Sequence, residues 1–487
     1  MTQTNSNKNS KYEHFILFQK SMTNFHFAKL IAGVWPTLAK ETVLSKIINM
    51  VDIFKISLGG WFDDNNKKYI DTLMKLDNSK TIMLEMRGND VRIKNVLDIT
   101  LKEKQEIEIE FSEYAQENNQ RIFIDATFVG ELEKWQIIQF EQSWVQIKVK
   151  STTEDIAVTE VISGGTIMQH DKVIFPGYTS PISFFTERDK KDILWGLAYG
   201  IHVVAAAQVK TKNDLFELKE FMASQNADKI KIFAKIENPE SIANFDEILE
   251  IADGIILVKE KHNEKELDEN AIIASCKEKG KPIVITFSGG FKKDGAKATI
   301  NEKDIKNYTN QSIDCYMLNT FLKEEDTINQ ITELSNLLEK HELEINKEMK
   351  EPFYKENDNF LVRDYIIYNA YRTTNEIEVK AIVSFTENGY TSARLSTLSP
   401  EVPVIAFTKV DETYRYINML RGVRWYKISQ SFNYENLKRV GKEMIRIIFK
   451  GNISLDDKII IVQANEIVKD EKTGMINGLE LYKFKNI

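Results

Sequence analysis

A lysine and a glutamate two positions apart are the best candidates for chemistry in this sequence. Lys235 and Glu237 lie in residues 230–241, which read IKIFAKIENPES. The β-branched and aromatic residues at the start of this segment predict a strand, and Asn238 followed by Pro239 predicts the start of a helix. Because side chains alternate along a strand, Lys235 and Glu237 point the same way near its carboxyl end. Such a pair can bind ligands at the rim of an α/β barrel, or it can be an ordinary ion pair on that rim.

Strands and helices alternate on both sides of a segment with a different pattern. Predicted strands at 27–35, 53–58 and 81–86 are separated by predicted helices. From about 91 to 175 the pattern has period two, as in QEIEIEF and WVQIKVK, which predicts an all-β insert, either a small barrel or a sandwich. The strand–helix alternation resumes at 186 and adds five strands. Eight strands in all predict a (β/α)8 barrel.

The rest of the chain divides into further predicted elements and domains. The later barrel strands are predicted at 203–209, around Lys235, at 254–258, 282–287 and 315–319, with helices at 190–199, 215–224, 240–251, about 266–277 and 327–349. Beyond 352 a similar alternation predicts a doubly wound α/β domain. The predicted domains are a disordered segment at 1–22, the barrel at 23–90 and 177–350, the β insert at 91–176 and the C-terminal domain at 351–487.

Composition excludes several classes of protein. The chain of 487 residues has 42% hydrophobic and 28% charged residues, which is typical of soluble globular proteins. A formal net charge of -8 with no basic cluster argues against nucleic-acid binding. Only Cys276 and Cys315 occur, so we expect neither a disulfide framework nor a structural zinc site. With no secretory signal and no apolar run of about 20 residues, the sequence predicts a cytoplasmic protein without a membrane partner.

Several motifs in this order resemble the pyruvate kinase family. FAKIENPES and FDEILEIADGI resemble two consecutive family motifs, and MLEMRGNDVR stands where the family has a phosphate-binding segment. VTEVISGG, VIFPG, GKPIVIT and DCYMLN follow at the expected places. The segment KAIVSFTENGYTSARLSTLSPEVPVIAFT is similar to the start of the family's C-terminal domain. The resemblance runs from about residue 27 to the end.

The resemblance implies a glycolytic enzyme that transfers a phosphoryl group from phosphoenolpyruvate to ADP, with Mg²⁺ and K⁺ as cofactors. It implies that Lys235 is the catalytic lysine and that Glu237 is a metal ligand. By the same resemblance, the candidates for substrate or phosphate binding are Lys55, Arg87 and Arg92. Arg87 replaces a family lysine and Lys55 a family arginine, so the charges are kept while the donor geometry changes.

Other positions depart from the family pattern. The second metal ligand falls on Lys261 or, with a shift of one residue, on Glu260, and a lysine there would repel Mg²⁺. At the potassium positions, Ser57 replaces an asparagine and Glu85 an aspartate. Phe287 stands where a threonine assists proton delivery. These departures predict reduced or lost activity, although Glu260 leaves open a rewired and active metal site.

The C-terminal domain contains a loop that resembles the family's effector-phosphate loop. It reads TENGYT, and its candidate effector residues are Thr386, Asn388, Gly389 and Thr391. The alternative is a tight turn that caps a helix. Family members assemble into tetramers, so the resemblance implies a homo- or hetero-oligomer. A non-catalytic regulatory subunit of an active pyruvate kinase is therefore an alternative function, and binding of another small carboxylate at the rim is a third.

Overall fold

The structure is a computed structural model that describes most of the chain. The described residues are 26–34, 40–58, 63–88, 91–112, 116–118, 120–125, 132–140, 143–153, 156–168, 171–176, 184–258, 268–289, 300–320, 324–344, 350–351, 361–428, 434–449, 453–463 and 478–486. The segment predicted to be disordered, 1–22, lies outside them. The predicted domain limits stay predictions.

The first three barrel strands alternate with two helices, as predicted. The elements are β1 (Lys29–Val34), α1 (Glu41–Ile47), β2 (Ile53–Ser57), α2 (Asp63–Leu76) and β3 (Thr81–Glu85). The strands are nearly continuous runs of buried residues because both faces of a parallel barrel sheet are covered. The last residues of β2 and β3 are less buried, since they approach the open rim of the barrel.

The insert between β3 and the rest of the barrel is an all-β domain. Its strands are β4 (Val91–Arg92), β5 (Ile99–Leu101), β6 (Glu106–Ser112), β7 (Arg121–Asp125), β8 (Ile137–Phe140), β9 (Gln146–Thr152), β10 (Ile156–Ser163), β11 (Gly165–Ile167) and β12 (Lys172–Ile174). Seven of them form one sheet in the order β4-β12-β8-β9-β10-β6-β7, and β5 pairs with β11. A bridge between Ile93 and Ile124 joins the two edges of this sheet. Of the two predicted alternatives, the structure therefore favours the small barrel.

The second half of the (β/α)8 barrel supplies five strands. Its elements are α3 (Glu187–Ala198), β13 (Val203–Ala206), α4 (Lys212–Ser224), β14 (Lys231–Ile236), α5 (Pro239–Ala243), α6 (Phe245–Ile251), β15 (Gly254–Leu257), α7 (Glu269–Lys279), β16 (Ile283–Gly289), α8 (Glu302–Asn310), β17 (Cys315–Thr320) and α9 (Glu324–Leu343). The closed barrel has the parallel order β1-β17-β16-β15-β14-β13-β3-β2. The predicted barrel fold is confirmed.

Some predicted elements differ from the structure. The single helix predicted at 240–251 is two helices, because Asn244 leaves the helical conformation between α5 and α6. The strand predicted at 203–209 ends at Ala206, and Gln208 adopts a positive φ of 60°. Helix α8 was not predicted. Its sequence, EKDIKNYTN, is mostly polar, but its buried residues Ile305, Tyr308 and Thr309 have the i, i+3, i+4 spacing of a helix, and the sequence analysis missed this signal.

The C-terminal domain is built on a five-stranded sheet. Its elements are α10 (Leu361–Glu376), β18 (Ala381–Phe385), α11 (Tyr390–Leu398), β19 (Val404–Thr408), α12 (Asp411–Ile417), β20 (Val423–Lys427), α13 (Tyr434–Ile448), β21 (Lys458–Gln463), β22 (Gly478–Lys483) and a 3₁₀ turn (Phe484–Asn486). The order is β20-β19-β18-β21-β22, and only β22 is antiparallel. The α/β fold is confirmed, whereas α13 and β22 were not predicted.

The C-terminal domain packs on the barrel face where the strands begin. The Lys29 ammonium, at the start of β1, donates a hydrogen bond to the carbonyl oxygen of Val423 at 2.9 Å. Asn418 donates to the carbonyl oxygen of Asp52, just before β2, at 3.1 Å. The opposite face, where the strands end, is the rim that carries the candidate site. None of the described helices is long and apolar enough to cross a membrane.

Candidate active site

Three strands bring the candidate residues together on the rim. Lys55 and Ser57 come from β2, Glu85 ends β3, and Lys235 lies near the end of β14. Ser57 pairs with Glu85 in the β2–β3 register. Strand β13 separates β3 from β14, and its Ala205 is the partner of Glu85. Because β13 has the short sequence VVAA, the Lys235 side chain can reach across it to Glu85.

Glu85 is the centre of this ion cluster, which we define as Lys55, Ser57, Glu85, Lys235 and Glu237. The Lys55 ammonium and the Ser57 hydroxyl donate to Oε2 of Glu85 at 2.5 and 2.7 Å. The Lys235 ammonium lies 2.9 Å from Oε1 of the same carboxylate. Both oxygens of Glu85 therefore have cationic partners. Sequence analysis did not predict that Glu85 pairs with Lys55, Ser57 and Lys235.

Glu237 holds the other side of Lys235. Its Oε2 lies 3.3 Å from the Lys235 ammonium, and its Oε1 accepts a hydrogen bond from the backbone N–H of Gln208 at 2.8 Å. The Glu237 side chain is only 1% exposed. Helix α5 begins after it as predicted, since Asn238 accepts a hydrogen bond from the N–H of Ser241 at 2.8 Å. The lysine–glutamate pair predicted from the sequence thus exists, and the sequence carried no signal for Gln208.

Burial and charge shift the pKa values inside the cluster. Burial alone would raise the pKa of Glu85, but the charges of Lys235 and Lys55 outweigh it and hold that pKa well below its usual range. Burial lowers the pKa of Lys55, and the attraction of Glu85 opposes this shift. Arg92, on β4 of the insert, also lowers the pKa of Lys55 through its positive charge. The structure therefore places Arg92 within electrostatic range of the cluster.

Arg87 is engaged by a helix that sequence analysis did not connect with the site. Its Nε lies 2.6 Å from Oδ2 of Asp192 on α3. Burial raises the pKa of Asp192 to about 6, although Arg87 opposes the shift. Asp189, one turn earlier, accepts from the N–H of Gly88 at 3.0 Å and from Thr186 in a capping box. The sequence Thr186-x-x-Asp189 is the one signal that could have located this helix start.

The loop predicted to bind an effector is a compact hydrogen-bonded turn at the start of α11. The N–H of Gly389 donates to the hydroxyl oxygen of Thr386 at 2.9 Å, and the N–H of Tyr390 donates to Asn388 at 3.0 Å. Thr386 and Thr391 are both buried. The turn predicted as the alternative therefore exists, and effector binding by this loop stays a prediction.

The rim, its insert and the C-terminal domain can now be compared with known proteins. Residues 27–323 match the family model of the pyruvate kinase barrel domain, and residues 364–478 match that of the pyruvate kinase alpha/beta domain. The first match alone covers more than half of the chain. The chain belongs to the pyruvate kinase family.

Individual pyruvate kinases agree with this assignment. The enzymes of Staphylococcus aureus strains MRSA252 and USA300 are 24% and 23% identical to the chain over 475 residues, which is 93% of this chain and 80% of each relative. The crystal structure of Cryptosporidium parvum pyruvate kinase has a TM-score of 0.76 at 18% identity and covers 95% of this chain and 98% of that one. At that identity it shows the shared fold.

The ions implied by membership of the pyruvate kinase family do not fit the described side chains. The Lys235 ammonium already lies between the carboxylates of Glu85 and Glu237, where it supplies the positive charge. Across the described residues, no group of three or more His, Cys, Asp or Glu side chains could hold a metal. Mg²⁺ needs several hard oxygen ligands in near-octahedral geometry. Ser57 and Glu85, the candidate potassium ligands, are hydrogen-bonded to each other. Glu260, the candidate second ligand of Mg²⁺, lies outside the described residues.

Phe287 occupies the position where the pyruvate kinase resemblance implies a threonine. Its ring is stacked on Tyr316 at a centroid distance of 6.1 Å and meets Tyr308 edge-on at 6.1 Å. Phe287 is partly buried and packs against the barrel core. A phenyl ring in this packing has no proton to donate, so it cannot assist proton delivery.

Proposed function

We propose that this protein is a pyruvate kinase-like protein of glycolysis whose phosphoryl transfer from phosphoenolpyruvate to ADP is reduced or lost. The observation that carries the proposal is the position of Lys235 between two carboxylates. Its ammonium is 2.9 Å from Glu85 and 3.3 Å from Glu237, and both carboxylates are largely buried. The resemblance to the family assigns the catalytic role to Lys235. The pairing of its ammonium with two carboxylates opposes that role.

Charge balance explains why the pairing opposes catalysis. Phosphoryl transfer depends on positive groups that neutralise the charge of the transferring group. To contact that group, Lys235 would have to exchange its two carboxylate partners for the substrate. The same carboxylates would repel the anionic substrate, and removal of one partner would leave a buried charge uncompensated. Phe287 and the poor fit of Mg²⁺ and K⁺ to the side chains that the structure describes support the same conclusion.

The proposal keeps the predicted binding roles of the remaining cations. Lys55, Arg87 and Arg92 are the groups proposed to meet the phosphate of phosphoenolpyruvate. Lys55 donates a hydrogen bond to Glu85, and Arg87 forms an ion pair with Asp192. Binding of the substrate would therefore compete with existing ion pairs, and we expect weak affinity rather than none.

The deciding experiment measures turnover of phosphoenolpyruvate and ADP by the purified protein in the presence of Mg²⁺ and K⁺. Turnover is monitored as the formation of pyruvate. We expect turnover far below that of a motif-complete pyruvate kinase, down to the level of Lys235→Ala. Lys340→Ala is the matched control, since Lys340 is a surface residue paired with Glu302. A motif-complete pyruvate kinase assayed in parallel establishes sensitivity. Metal-dependent turnover comparable to that of the motif-complete enzyme, retained in Lys340→Ala and lost in Lys235→Ala, would overturn the proposal and favour an active, rewired enzyme that uses Glu260.

A second candidate function is a non-catalytic regulatory subunit that assembles with an active pyruvate kinase paralogue. It is supported by a rim whose charged side chains pair with one another in a chain whose barrel and C-terminal domain both match the family models. The test is native mass spectrometry of the protein mixed or co-expressed with the paralogue. Mixed oligomers in which the turnover of the paralogue changes would support this function, whereas separate homo-oligomers would contradict it.

A further inference from the structure

Arg87 lies in the first connection between the barrel and the β insert. Strand β3 ends at Glu85, which belongs to the ion cluster, and β4 of the insert begins at Val91. The residue after Arg87, Gly88, donates its backbone N–H to Oδ1 of Asp189 at 3.0 Å, and Asp189 is fully buried on α3. The backbone beside Arg87 is therefore fixed to α3, so a change of partner at Arg87 is a movement of its side chain.

The Arg87 side chain is paired with a buried carboxylate on the same helix. Its Nη2 donates a hydrogen bond to Oδ1 of Asp192 at 2.8 Å. Its Nε lies 2.6 Å from Oδ2, but this second contact is too poorly directed to be a hydrogen bond. The side chains of Arg87 and Asp192 are 18% and 9% exposed. A guanidinium that is partly exposed at the rim can exchange this carboxylate for a phosphate, which it binds in the same two-point geometry.

Asp192 depends on Arg87 to remain charged. The charged groups that act on it are Arg87 from the connection, and Asp189 and Arg188 from its own helix. Burial raises the pKa of Asp192 to about 6, the charge of Asp189 acts in the same direction, and Arg87 opposes both. When Arg87 leaves, the main opposing charge is lost and the pKa of Asp192 rises further. The carboxylate then takes up a proton near neutral pH, because a buried charge without a partner is costly.

We propose that Asp192 controls whether Arg87 is available to a phosphate ligand at the rim, so that ligand binding is coupled to protonation of Asp192. The ligand takes the guanidinium of Arg87, and the Asp192 carboxylate takes a proton from solvent in exchange. Asp192 is thus a positioning residue that acts through Arg87 and does not touch the ligand. The inference rests on the proposed function, because it takes from it the phosphate-binding role of Arg87.

The direction of the pH dependence follows from this exchange. The ligand-bound protein holds one more proton on Asp192 than the free protein, so affinity rises as the pH falls from neutral. The rise levels off below about pH 6, where Asp192 is already protonated in the free protein.

Asp192→Asn is the variant that tests this role, because asparagine keeps the shape and the hydrogen-bond acceptor and carries no charge at any pH. Glu187→Gln is the matched control, since Glu187 lies on the same helix, is 82% exposed and pairs with Lys190. Binding of phosphoenolpyruvate is measured by calorimetry at pH 7.5 and pH 6.0 in the presence of Mg²⁺ and K⁺. We expect Asp192→Asn to bind at least about threefold more tightly than wild type at pH 7.5.

The response to pH separates Asp192 from the ligand. On acidification from pH 7.5 to pH 6.0, the affinities of wild type and Glu187→Gln should improve by a factor at least about threefold larger than that of Asp192→Asn. Comparison with the variant removes the contribution of the ligand's own phosphate, whose second pKa is near 6.

A second measurement needs only the wild type, in case Asp192→Asn does not fold. Calorimetry at pH 7 in buffers of different ionisation enthalpy counts the protons exchanged on binding. We expect a net uptake of about half a proton or more. Binding of the fully ionised phosphate would by itself release protons, so the sign of the exchange distinguishes the two.

Three results would overturn the proposal: an equal pH response in wild type and Asp192→Asn, a net release or no exchange of protons, or no binding of phosphoenolpyruvate to either protein at both pH values. Each of them is independent of turnover. Failure of this inference is therefore distinguishable from failure of the proposed function, which the turnover assay decides.

Discussion

The two faces of the barrel each carry a buried carboxylate with several donors, and the donors differ. At the face where strands begin, Asp314 accepts from the Lys277 ammonium, the Ser396 hydroxyl and the backbone N–H groups of Ile283 and Arg421. At the rim, Glu85 accepts from Lys55, Ser57 and Lys235. Asp314 is thus held partly by backbone from both domains, whereas Glu85 is held by the side chains of Lys55, Ser57 and Lys235.

This difference teaches what each network can do. Backbone donors are fixed by the fold, so the Asp314 network joins the barrel and the C-terminal domain in one geometry. Lysine ammonium groups sit on flexible stems and can exchange partners. The Glu85 network can therefore rearrange when an anion arrives, at a cost in free energy. In barrels generally, the face where strands begin serves stability and the rim serves chemistry.

The largest effect is expected from Asp314→Ala. This variant leaves the buried Lys277 charge without its carboxylate and removes the acceptor for Ser396 and two backbone N–H groups. We expect the free energy of unfolding to fall by about 3–5 kcal/mol, measured by urea unfolding followed by circular dichroism. Asp411→Ala is the control, because that side chain is 67% exposed and pairs only at the surface. A loss below about 1 kcal/mol in Asp314→Ala would contradict the view that the Asp314 network serves stability more than the Glu85 network does.

We expect Glu85→Gln to lower stability less than Asp314→Ala does and to strengthen the binding of phosphoenolpyruvate. The free energy of unfolding should fall by about 2 kcal/mol, less than for Asp314→Ala, because Glu237 still pairs with Lys235 and the Glu85 side chain is 16% exposed. With one carboxylate neutralised, phosphoenolpyruvate should bind more tightly than to wild type, as measured by calorimetry. Weaker binding of phosphoenolpyruvate to a folded Glu85→Gln variant than to wild type would contradict the view that the ion cluster opposes binding of this substrate.

The smallest expected effect is a pH dependence of the difference in stability between wild type and Glu85→Gln. The pKa of Glu85 is depressed in the folded protein, so its charged form contributes stability above the unfolded value of about 4.3, and this contribution is lost as the pH falls below it. The difference in thermal midpoint between wild type and Glu85→Gln should therefore be constant from pH 7 to 5 and decrease below about pH 4. A difference that grows on acidification would mean that Glu85 is protonated in the native rim.

Sequence reasoning predicted most of the fold because periodicity and order carry that information. The alternation around residues 91–175 was enough to separate the insert from the barrel, and the barrel fold is confirmed. Helix α8 was missed because its buried residues are few, and strand β22 because it is the edge of its sheet. Helix α8 does have buried residues at helical spacing, so its signal was present but carried by only three positions, whereas β22 is placed by its pairing with β21.

The candidate site was predicted less completely. Its residue types, from Lys55 to Glu237, follow from the order of motifs, and the capped start of α5 follows from Asn238 and Pro239. Asp192 and Gln208 were missed, since nothing in their local sequence shows that Asp192 meets Arg87 or that the N–H of Gln208 meets Glu237.

By itself, the sequence determined the family, the architecture and the charged residues that reach the rim, because strand order and alternation place them there. Only the tertiary structure decided how those charges pair. Lys235 reaches Glu85 across β13 because alanines leave the space, and this pairing joins β3 and β14, which lie far apart in the chain. Electrostatic energy depends on distances between side chains in space, and those distances exist only once the barrel has closed.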